Sequence, residues 1–401
     1  SKNHGLYNTG DLTATDVTIT NVANNGVYND ENGTIQVKEL TVSATGEHGI
    51  NNASRMTAEA VKVSDTGAGK NSIQNSGTIT LTGCEISDSR NHGIYNTGTL
   101  QGEDLTITDV ADNGIYNNKG QITSLTGLII SATGGQGLNN TGELVASDVL
   151  ISATGKNGVY TNGGKTAIAG LTVTDPGEHG VSNDYSGVVT LIDATLDGSA
   201  SGSNCIQNKA VMHLENVTVK NSSNHGIYND STLTTSGKLV VTGAAVNGVY
   251  NYGGTVHIAD ADISATGEHG INNAGTMTVE KVNIHGATQN GIQNTKELTI
   301  TGSAVVTDSG KHGIYNGKTM EAANVTVTNA GDLLLSNAGD MVIRGLKLTG
   351  AAQKAIYNAG YAELYSATVD GAQIRNQTDA TAQYLVDINA GVLDLTDSTI
   401  V

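Results

Sequence analysis

The chain has 401 residues, of which 52 are glycine, one is proline, none is phenylalanine or tryptophan, and 14% are charged. Its formal net charge of −18 argues against binding to nucleic acid or to anionic membrane surfaces, because those ligands are themselves negative. A wide globular core needs aromatic side chains to fill it, so this composition favours a thin structure filled by stacked aliphatic residues.

One short sequence recurs from the N-terminus onward: glycine, an aliphatic residue, one variable residue and then Asn, as in residues 5–8 and 93–96. Most steps are 21 to 23 residues long, and 17 of the 18 closing residues are Asn, the exception being Thr161. A fixed period of this length predicts a solenoid. The closing positions are 8, 29, 52, 75, 96, 117, 140, 161, 183, 208, 229, 251, 273, 294, 316, 337, 358 and 376.

Alternating aliphatic and threonine residues mark the strands within each period, as in residues 105–108, Leu-Thr-Ile-Thr. This period of two places one row of side chains inward and the threonine row outward. A second run follows each closing Asn, as in residues 98–100, and no stretch has a sustained helical period. We therefore predict an all-β fold, a parallel β-helix of about 18 coils with three short strands per coil.

The β-helix is expected to be right-handed, because crossovers between parallel strands are overwhelmingly right-handed. A leucine-rich repeat has a similar period but needs a Leu-x-x-Leu-x-Leu pattern, which this chain lacks. At ~4.8 Å between neighbouring coils, residues 1–401 would form a single rod roughly 85 Å long. We expect residues 376–401 to be less regular, because the repeat blurs there.

The closing Asn residues are predicted to be structural. Each stands two positions after an inward aliphatic residue, so parity directs it inward or into the turn. An Asn side chain both donates and accepts hydrogen bonds, so a column of Asn residues can form a ladder along the coils.

The residue before each closing Asn points outward by the same parity, and it is often tyrosine. Eight other positions of this column carry Asn, Gln or Ser, a composition typical of adaptable recognition surfaces. The alternative is that exposed tyrosine simply covers a strand, as its β-propensity favours. We predict a ligand-binding stripe composed of Tyr7, Tyr28, Tyr95, Tyr116, Tyr160, Tyr228, Tyr250, Tyr315 and Tyr357.

Histidine recurs with a double period just before the glycine of the repeat, at His4, His48, His92, His179, His225, His269 and His312. Asn occupies the same position on the intervening coils. Successive histidines would be ~9.6 Å apart, too far to share a metal ion, so we predict a polar turn row and no metal site. Protonation of this row at about pH 6 would place positive charges along one edge.

No arrangement of catalytic residues stands out, and we predict neither an enzyme nor a cofactor. Asp16, Asp104, Asp148 and Asp262 recur at equivalent coil positions and are expected to be isolated turn residues. Asp260 near Asp262 is one of the closest matches to the opposed carboxylates of a glycosidase. A polysaccharide lyase or hydrolase on a β-helix scaffold is therefore the first alternative function.

An ice-binding solenoid is the second alternative, because outward threonine rows are what such proteins present. The row of this chain is interrupted by Lys62, Glu85, Ile129, Leu150 and Lys220. A plane that matches ice should not carry charge, so the sequence does not favour this function.

Two cysteines are present, Cys84 and Cys205, and about six coils would separate them by ~29 Å, so no disulfide bond is expected. The sequence shows no signal peptide and no transmembrane helix, and we expect no membrane insertion of this segment. The chain begins within a repeat and ends on a strand-like run, so we expect an excerpt of a longer secreted protein.

Coils of the form Gly-Ile-Tyr-Asn-x-Gly-Thr-Leu followed by Leu-Thr-Ile-Thr resemble the repeats of bacterial autotransporter passenger domains and related large surface adhesins. The resemblance covers nearly all of residues 1–376. It implies export across the outer membrane of a Gram-negative cell, an extracellular location and a role in adhesion and virulence. The implied partners are host glycans or proteins, or the same rod on another cell. No functional residue carries over, because such adhesins share a scaffold rather than a site.

Overall fold

A computed structural model describes residues 2–199, 202–350, 354–370, 386–389 and 391–401. The regular secondary structure within these residues is entirely β-strand, and equivalent strands of neighbouring turns pair in parallel. The class is therefore a parallel β-solenoid, as the sequence predicts. Parallel pairing is the same for either hand of winding, so the right-handed sense stays a prediction.

The described residues fall into two compact units, Ser1–Gly202 and Ser203–Val401. The single rod predicted for residues 1–401 stays a prediction. Within the described ranges, no helix has the length and apolar character needed to cross a membrane. Cys84 and Cys205 are both buried and free.

Each turn of the first unit has one short and one long strand, and the long strand of the last turn is split in two. The short strands are β1 (Leu6–Asn8), β3 (Val27–Asn29), β5 (Ile50–Asn52), β7 (Ile73–Asn75), β9 (Ile94–Asn96), β11 (Ile115–Asn117), β13 (Leu138–Asn140), β15 (Val159–Asn162) and β17 (Val181–Asp184). The long strands are β2 (Asp11–Val22), β4 (Thr34–Thr45), β6 (Arg55–Ser64), β8 (Thr78–Ile86), β10 (Thr99–Val110), β12 (Gln121–Thr133), β14 (Glu143–Thr154), β16 (Lys165–Pro176), β18 (Val188–Ile192) and β19 (Thr195–Asp197).

The second unit repeats this arrangement, again with a split long strand in its last turn. The short strands are β20 (Ile206–Asn208), β22 (Ile227–Asn229), β24 (Val249–Asn251), β26 (Ile271–Asn273), β28 (Ile292–Asn294), β30 (His312–Asn316), β32 (Leu333–Asn337), β34 (Lys354–Asn358) and β36 (Val386–Ile388). The long strands are β21 (Val211–Lys220), β23 (Thr232–Thr242), β25 (Thr255–Ser264), β27 (Thr276–His285), β29 (Glu297–Ser309), β31 (Thr319–Ala330), β33 (Asp340–Thr349), β35 (Tyr361–Asp370), β37 (Val392–Thr396) and β38 (Thr399–Ile400).

A left-handed residue near the middle of many long strands bends the strand into two arms. Asp16, Asp104 and Asp148 have φ angles of 55°, 53° and 54° at this point, and Gly127 takes the same position with a φ of 65°. Asp and Gly tolerate the left-handed conformation better than most residues. The two arms and the short strand give three β-segments per turn, which confirms the predicted number and the turn role of these three Asp residues.

The same prediction is wrong for Asp262. This residue lies in the second arm of β25 opposite Val240, and its Oδ2 is 2.8 Å from Lys238 Nζ. Val240 is paired in turn with Thr218 of β21, so Asp262 stands in the outward row of the arm rather than at the bend.

The core is a stack of aliphatic side chains contributed by all three segments of a turn. In the turn formed by β9 and β10, the inward residues are Ile94, Leu100, Leu105, Ile107 and Val110, each at most 3% exposed. Equivalent residues continue these rows through neighbouring turns, and each buried methylene contributes about 0.8 kcal/mol. Stacked aliphatic residues thus fill the interior without phenylalanine or tryptophan.

The last turn differs from the predicted register. Ile388 of β36 pairs with Asn358 of β34, and Asp387 pairs with Tyr357. Asn376, predicted to close this coil, lies outside the described residues. An aliphatic side chain therefore stands where the repeat predicts the last Asn.

Candidate binding site

The inward Asn ladder holds the short strands in register. In the first unit, Asn29 Nδ2 donates to Asn52 Oδ1 at 2.8 Å, and Asn52 Nδ2 donates to Asn75 Oδ1 at 2.8 Å. The same amide also donates to backbone carbonyl oxygens, as Asn52 does to Ser54 and Thr78 at 3.0 and 3.1 Å. The ladder Asn side chains are buried in both units, which confirms the inward, structural role predicted for them.

Thr161 interrupts this ladder, and a second threonine compensates for it. Asn140 Nδ2 donates to Thr166 Oγ1 at 2.9 Å, and the Thr161 and Thr166 hydroxyl groups hydrogen-bond each other at 2.7 Å. Thr166 is buried in the row that carries Leu144 and Val189 in the neighbouring turns. A hydroxyl group at an otherwise aliphatic position therefore replaces the missing amide.

We expect substitutions at Thr161 and Thr166 to be strongly coupled. Thr166→Val alone removes one acceptor of the Asn140 amide and the hydroxyl partner of the buried Thr161, and should cost about 1–3 kcal/mol of stability. Adding Thr161→Asn supplies an amide to both neighbouring turns, so the double variant should recover at least that loss. Thermal unfolding of the wild type, both single variants and the double variant measures the coupling, and simple additivity would contradict it.

The residue before each ladder position points away from the core, and strand pairing lines these residues up into one column per unit. In the first unit the column runs Tyr7, Tyr28, Asn51, Gln74, Tyr95, Tyr116, Asn139, Tyr160 and Ser182. In the second unit it runs Gln207, Tyr228, Tyr250, Asn272, Gln293, Tyr315, Ser336, Tyr357 and Asp387. Apart from Asp387, these described positions carry no charged side chain.

The tyrosines of this column lie at the surface. Tyr7 is 57% exposed, and the other eight tyrosines of the predicted stripe are half-buried. The serines differ, because Ser182 and Ser336 are 1% and 6% exposed and contribute little to the outer surface. Apart from Asp387, the outer face of the column is therefore made of tyrosine, Asn and Gln. A ligand-binding role for it stays a prediction.

Histidine rings join the adjacent tyrosine pairs into three-ring clusters. In cluster A the His4 ring lies 5.9 Å from Tyr7 and 5.0 Å from Tyr28 between centroids. The two tyrosine rings stack 5.5 Å apart at an interplanar angle of 5°. The two tyrosines are thus in direct ring contact, and the histidine is a third member that the predicted tyrosine stripe did not include.

Cluster B repeats this composition four turns further along the same unit. The His92 ring lies 5.8 Å from Tyr95 and 5.3 Å from Tyr116, and the two tyrosine rings meet edge to face at 5.3 Å. Asn118 Nδ2 donates to the Tyr95 hydroxyl group at 2.5 Å, and Asp112 Oδ2 lies 3.5 Å from His92 Nδ1. The cluster is therefore bordered by polar groups on two sides of its rings.

Cluster C lies in the second unit and contains a fourth ring. His225 lies 6.1 Å from Tyr228 and 4.9 Å from Tyr250, and these two tyrosine rings are 5.7 Å apart. Tyr252, which follows the ladder position, is 6.0 Å from both tyrosine rings and 55% exposed. Sequence reasoning missed Tyr252, because it stands in the turn beyond the strand rather than in the periodic column.

The remaining tyrosines of the predicted stripe stand singly. His312 stacks on Tyr315 with a centroid distance of 6.4 Å, and no second tyrosine joins this pair in the described turns beside it. Burial, and after it the charge of Asp184, raises the pKa of Tyr160 to about 12. The structure thus brings six of the nine predicted residues together in clusters and leaves Tyr160, Tyr315 and Tyr357 apart.

A second ladder runs beside the column and is made of the His and Asn residues that precede the repeat glycine. The His92 backbone N–H donates to Asn71 Oδ1 at 3.2 Å, and the Asn113 N–H donates to His92 Nδ1 at 3.4 Å. In the second unit the Asn247 N–H donates to His225 Nδ1 at 3.4 Å. Histidine Nδ1 therefore accepts as an Asn oxygen does, which requires a neutral ring with its proton on Nε2.

Burial keeps these ladder histidines neutral. Desolvation lowers the pKa of His48, His92, His269 and His312, and it lowers the pKa of His225 to about 4. The prediction that this row becomes charged at about pH 6 is therefore wrong for these five residues, because a buried or half-buried imidazolium would lose hydration that its surroundings do not replace.

The carboxylate pair Asp260 and Asp262 does not have the properties of a glycosidase site. Lys238 Nζ lies 2.9 Å from Asp260 Oδ1 and 2.8 Å from Asp262 Oδ2, and the hydrogen bond from Lys238 lowers the pKa of Asp262. A glycosidase general acid instead needs a carboxyl group with a raised pKa. Across the described ranges, no group of three or more His, Cys, Asp or Glu side chains could hold a metal ion.

The fold and this column define the chain as a parallel β-solenoid with an outward row of tyrosine and amide side chains. No family model and no curated protein matches the sequence. A solved structure described as the catalytic domain of Agl-KA is 14% identical, with a TM-score of 0.24. The match covers 90% of this chain and 62% of that one, so the chain spans less than two thirds of that structure. A likeness of this degree carries no argument about function.

Proposed function

We propose that the chain is the binding part of a non-enzymatic adhesin of the autotransporter type, displayed on the outer surface of a bacterium. In this role it holds host glycans, host proteins or a second copy of itself through repeated contacts. The observation that supports the proposal is the repetition of one arrangement of rings, one histidine with two tyrosines, in clusters A, B and C.

Repetition of a surface feature suits adhesion better than catalysis. A catalytic site needs one constellation of groups with tuned pKa values, whereas adhesion adds many weak contacts into a high avidity. Tyrosine supplies a large, rigid and amphipathic contact area at a low entropy cost, and Asn and Gln supply donors and acceptors. The turns hold these side chains in a fixed order, so binding causes little further loss of conformational entropy.

Binding by the purified chain tests the proposal. Beads coated with the chain should adhere to host cells, to glycan arrays or to one another. The combined variant Tyr95→Ser, Tyr116→Ser, Tyr228→Ser and Tyr250→Ser should reduce this binding at least about tenfold, because it removes the central rings of clusters B and C. Serine occurs naturally at two positions of the column, so the fold should tolerate it.

The matched control is Tyr361→Ser, which removes an exposed tyrosine of β35 that lies outside the column. Circular dichroism and thermal unfolding should show that both proteins remain folded. Unchanged binding by the cluster variant would reject the column as the binding surface. Release of new reducing ends or unsaturated products from acidic polysaccharides would reject the non-enzymatic role.

A further inference from the structure

We propose that clusters A, B and C bind uncharged pyranose residues of a polysaccharide, with sugar ring faces packed on the tyrosine rings and sugar hydroxyl groups donating to carboxylates at the cluster rim. This inference rests on the proposed binding function and adds the chemical class of the ligand.

The tyrosine rings of the clusters form apolar surfaces on which a sugar ring can pack. In cluster A the Tyr7 and Tyr28 rings are nearly parallel, and Tyr7 is more than half exposed. In cluster C the exposed Tyr252 ring extends the surface made by Tyr228. The carbon-bound hydrogens on one face of a pyranose pack against an aromatic ring as other apolar groups do, so these surfaces favour a flat ligand with an apolar face.

Each cluster also has a carboxylate beside its rings. The Tyr7 hydroxyl group donates to Asp30 Oδ2 at 2.7 Å in cluster A, and Asp112 borders His92 in cluster B. In cluster C, Asp230 directly follows the ladder residue Asn229, as Asp30 follows Asn29 in cluster A. A carboxylate accepts several hydrogen bonds, and charge-assisted bonds of this kind are roughly twice as strong as neutral ones.

The charges at the clusters disfavour an acidic ligand. Clusters A and B each have a carboxylate beside their rings, and the whole chain has a net charge of −18. A uronic or sialic acid would therefore meet like charge at the cluster rim, and its binding would be opposed. Hydroxyl groups of an uncharged sugar meet acceptors there instead.

The spacing of the clusters favours a chain of sugars over a single sugar. Asn51 and Gln74 stand between Tyr28 of cluster A and Tyr95 of cluster B, which places these rings three turns or ~14 Å apart. Gln74 is held in position by Asn71 Nδ2, which donates to its Oε1 at 2.7 Å. The intervening amides can therefore bind hydroxyl groups of the sugars that lie between two stacking surfaces.

Titration of the purified chain with a β-glucan, a mannan and a galactan tests the inference, with polygalacturonate and chitosan as the anionic and cationic comparisons. We expect at least one uncharged polymer to bind more tightly than either charged polymer and with little dependence on salt. Tyr95→Ser with Tyr116→Ser should weaken this binding about tenfold. Asp230→Asn, which leaves every ring in place, should weaken it about threefold.

The outcomes separate this inference from the adhesin proposal. Preference for polygalacturonate or chitosan over all three uncharged polymers would overturn the assignment to uncharged sugars. If no uncharged polymer binds while the tyrosine variant loses adhesion to cells or to protein partners, the sugar assignment fails and the adhesin proposal stands. If the tyrosine variant keeps all its binding, both fail.

Discussion

Asn52→Ala is expected to destabilise the first unit severely, whereas Asn51→Ala should leave its stability nearly unchanged. The two residues are neighbours in β5 and carry the same side chain on opposite sides of the strand. Asn52 is fully buried, and its Oδ1 accepts a hydrogen bond from Asn29 Nδ2. The two hydrogens of its Nδ2 are shared among three acceptors, one in its own turn and two in the next turn. Asn51 is half-buried in the outward column.

Alanine at position 52 leaves buried amide and carbonyl partners without their hydrogen bonds, at about 1–3 kcal/mol for each unsatisfied group. Allowing for relaxation, we expect a total loss of about 3–6 kcal/mol and a fall in the unfolding midpoint on the order of 10 °C. Asn51→Ala should change stability by less than about 0.5 kcal/mol. Thermal unfolding followed by circular dichroism compares the two variants, and equal losses would show that the inward ladder contributes no more to stability than the outward row.

These two rows could be assigned from the sequence because side chains of a strand alternate strictly. A closing residue such as Asn52 stands two places after an inward aliphatic residue, so it shares the inward side, and Asn51 does not. The repeat also supplied many independent copies of the same pattern, so an exception such as Thr161 was visible as an exception. The partner of that exception, Thr166, was not visible, because its contact joins two residues through the fold.

The left-handed corners near the ends of the long strands were harder to predict where the residue does not favour a positive φ angle. Asp65 and Asp109 stand in left-handed corners that suit an Asp side chain, but Ala44, Ala132 and Ala153 have φ angles of 51°, 51° and 50°. The left-handed conformation is unfavourable for alanine, so the pairing of neighbouring turns must impose this conformation. A single sequence gives no signal for such a corner.

The spacing between histidine and tyrosine in the sequence indicates the three-ring clusters. Each tyrosine pair begins on a turn whose histidine lies three residues before the first tyrosine, as His92 does before Tyr95. The coincidence of the double period of histidine with the tyrosine pairs predicts contact between the rings. Burial of the histidines, and with it their lowered pKa, depends on packing between turns and could not be predicted in the same way.

Lowering the pH from about 7 to about 4 should weaken the fold through the histidine ladder. An unfolded chain binds a proton on each histidine at about pH 6.5, whereas burial lowers the pKa of His92 and lowers that of His225 to about 4 in the folded state. Between the unfolded and folded pKa values only the unfolded state binds the proton, so the free energy of unfolding falls as the pH falls. Above this window both states are neutral, and below it both are protonated.

Neighbouring charges change the size of this effect but not its direction. Asp112 raises the pKa of His92 and Asp332 raises that of His312, but burial outweighs both carboxylates, and Lys311 lowers the pKa of His312 further. The ladder rings are partly exposed to solvent, which screens their charge. We therefore expect the ladder histidines together to lower the free energy of unfolding by an amount on the order of 3 kcal/mol. Without screening, each unit of pKa shift would contribute about 1.4 kcal/mol, and the total would be larger.

Asn is the matched replacement for these histidines, because Asn71 and Asn113 accept the same backbone hydrogen bond through Oδ1 and do not titrate. A variant with Asn at positions 48, 92, 225, 269 and 312 should lose most of the pH dependence between about pH 6.5 and 4. Loss of ring stacking changes stability equally at every pH, so the slope against pH is the decisive measurement. His213→Asn is the control, because that ring bonds Thr234 and Ser236 outside the ladder and should leave the slope largely intact. Urea unfolding across this range measures the slope, and a ladder variant as acid-sensitive as the wild type would show that burial of these rings is not the source of the pH dependence.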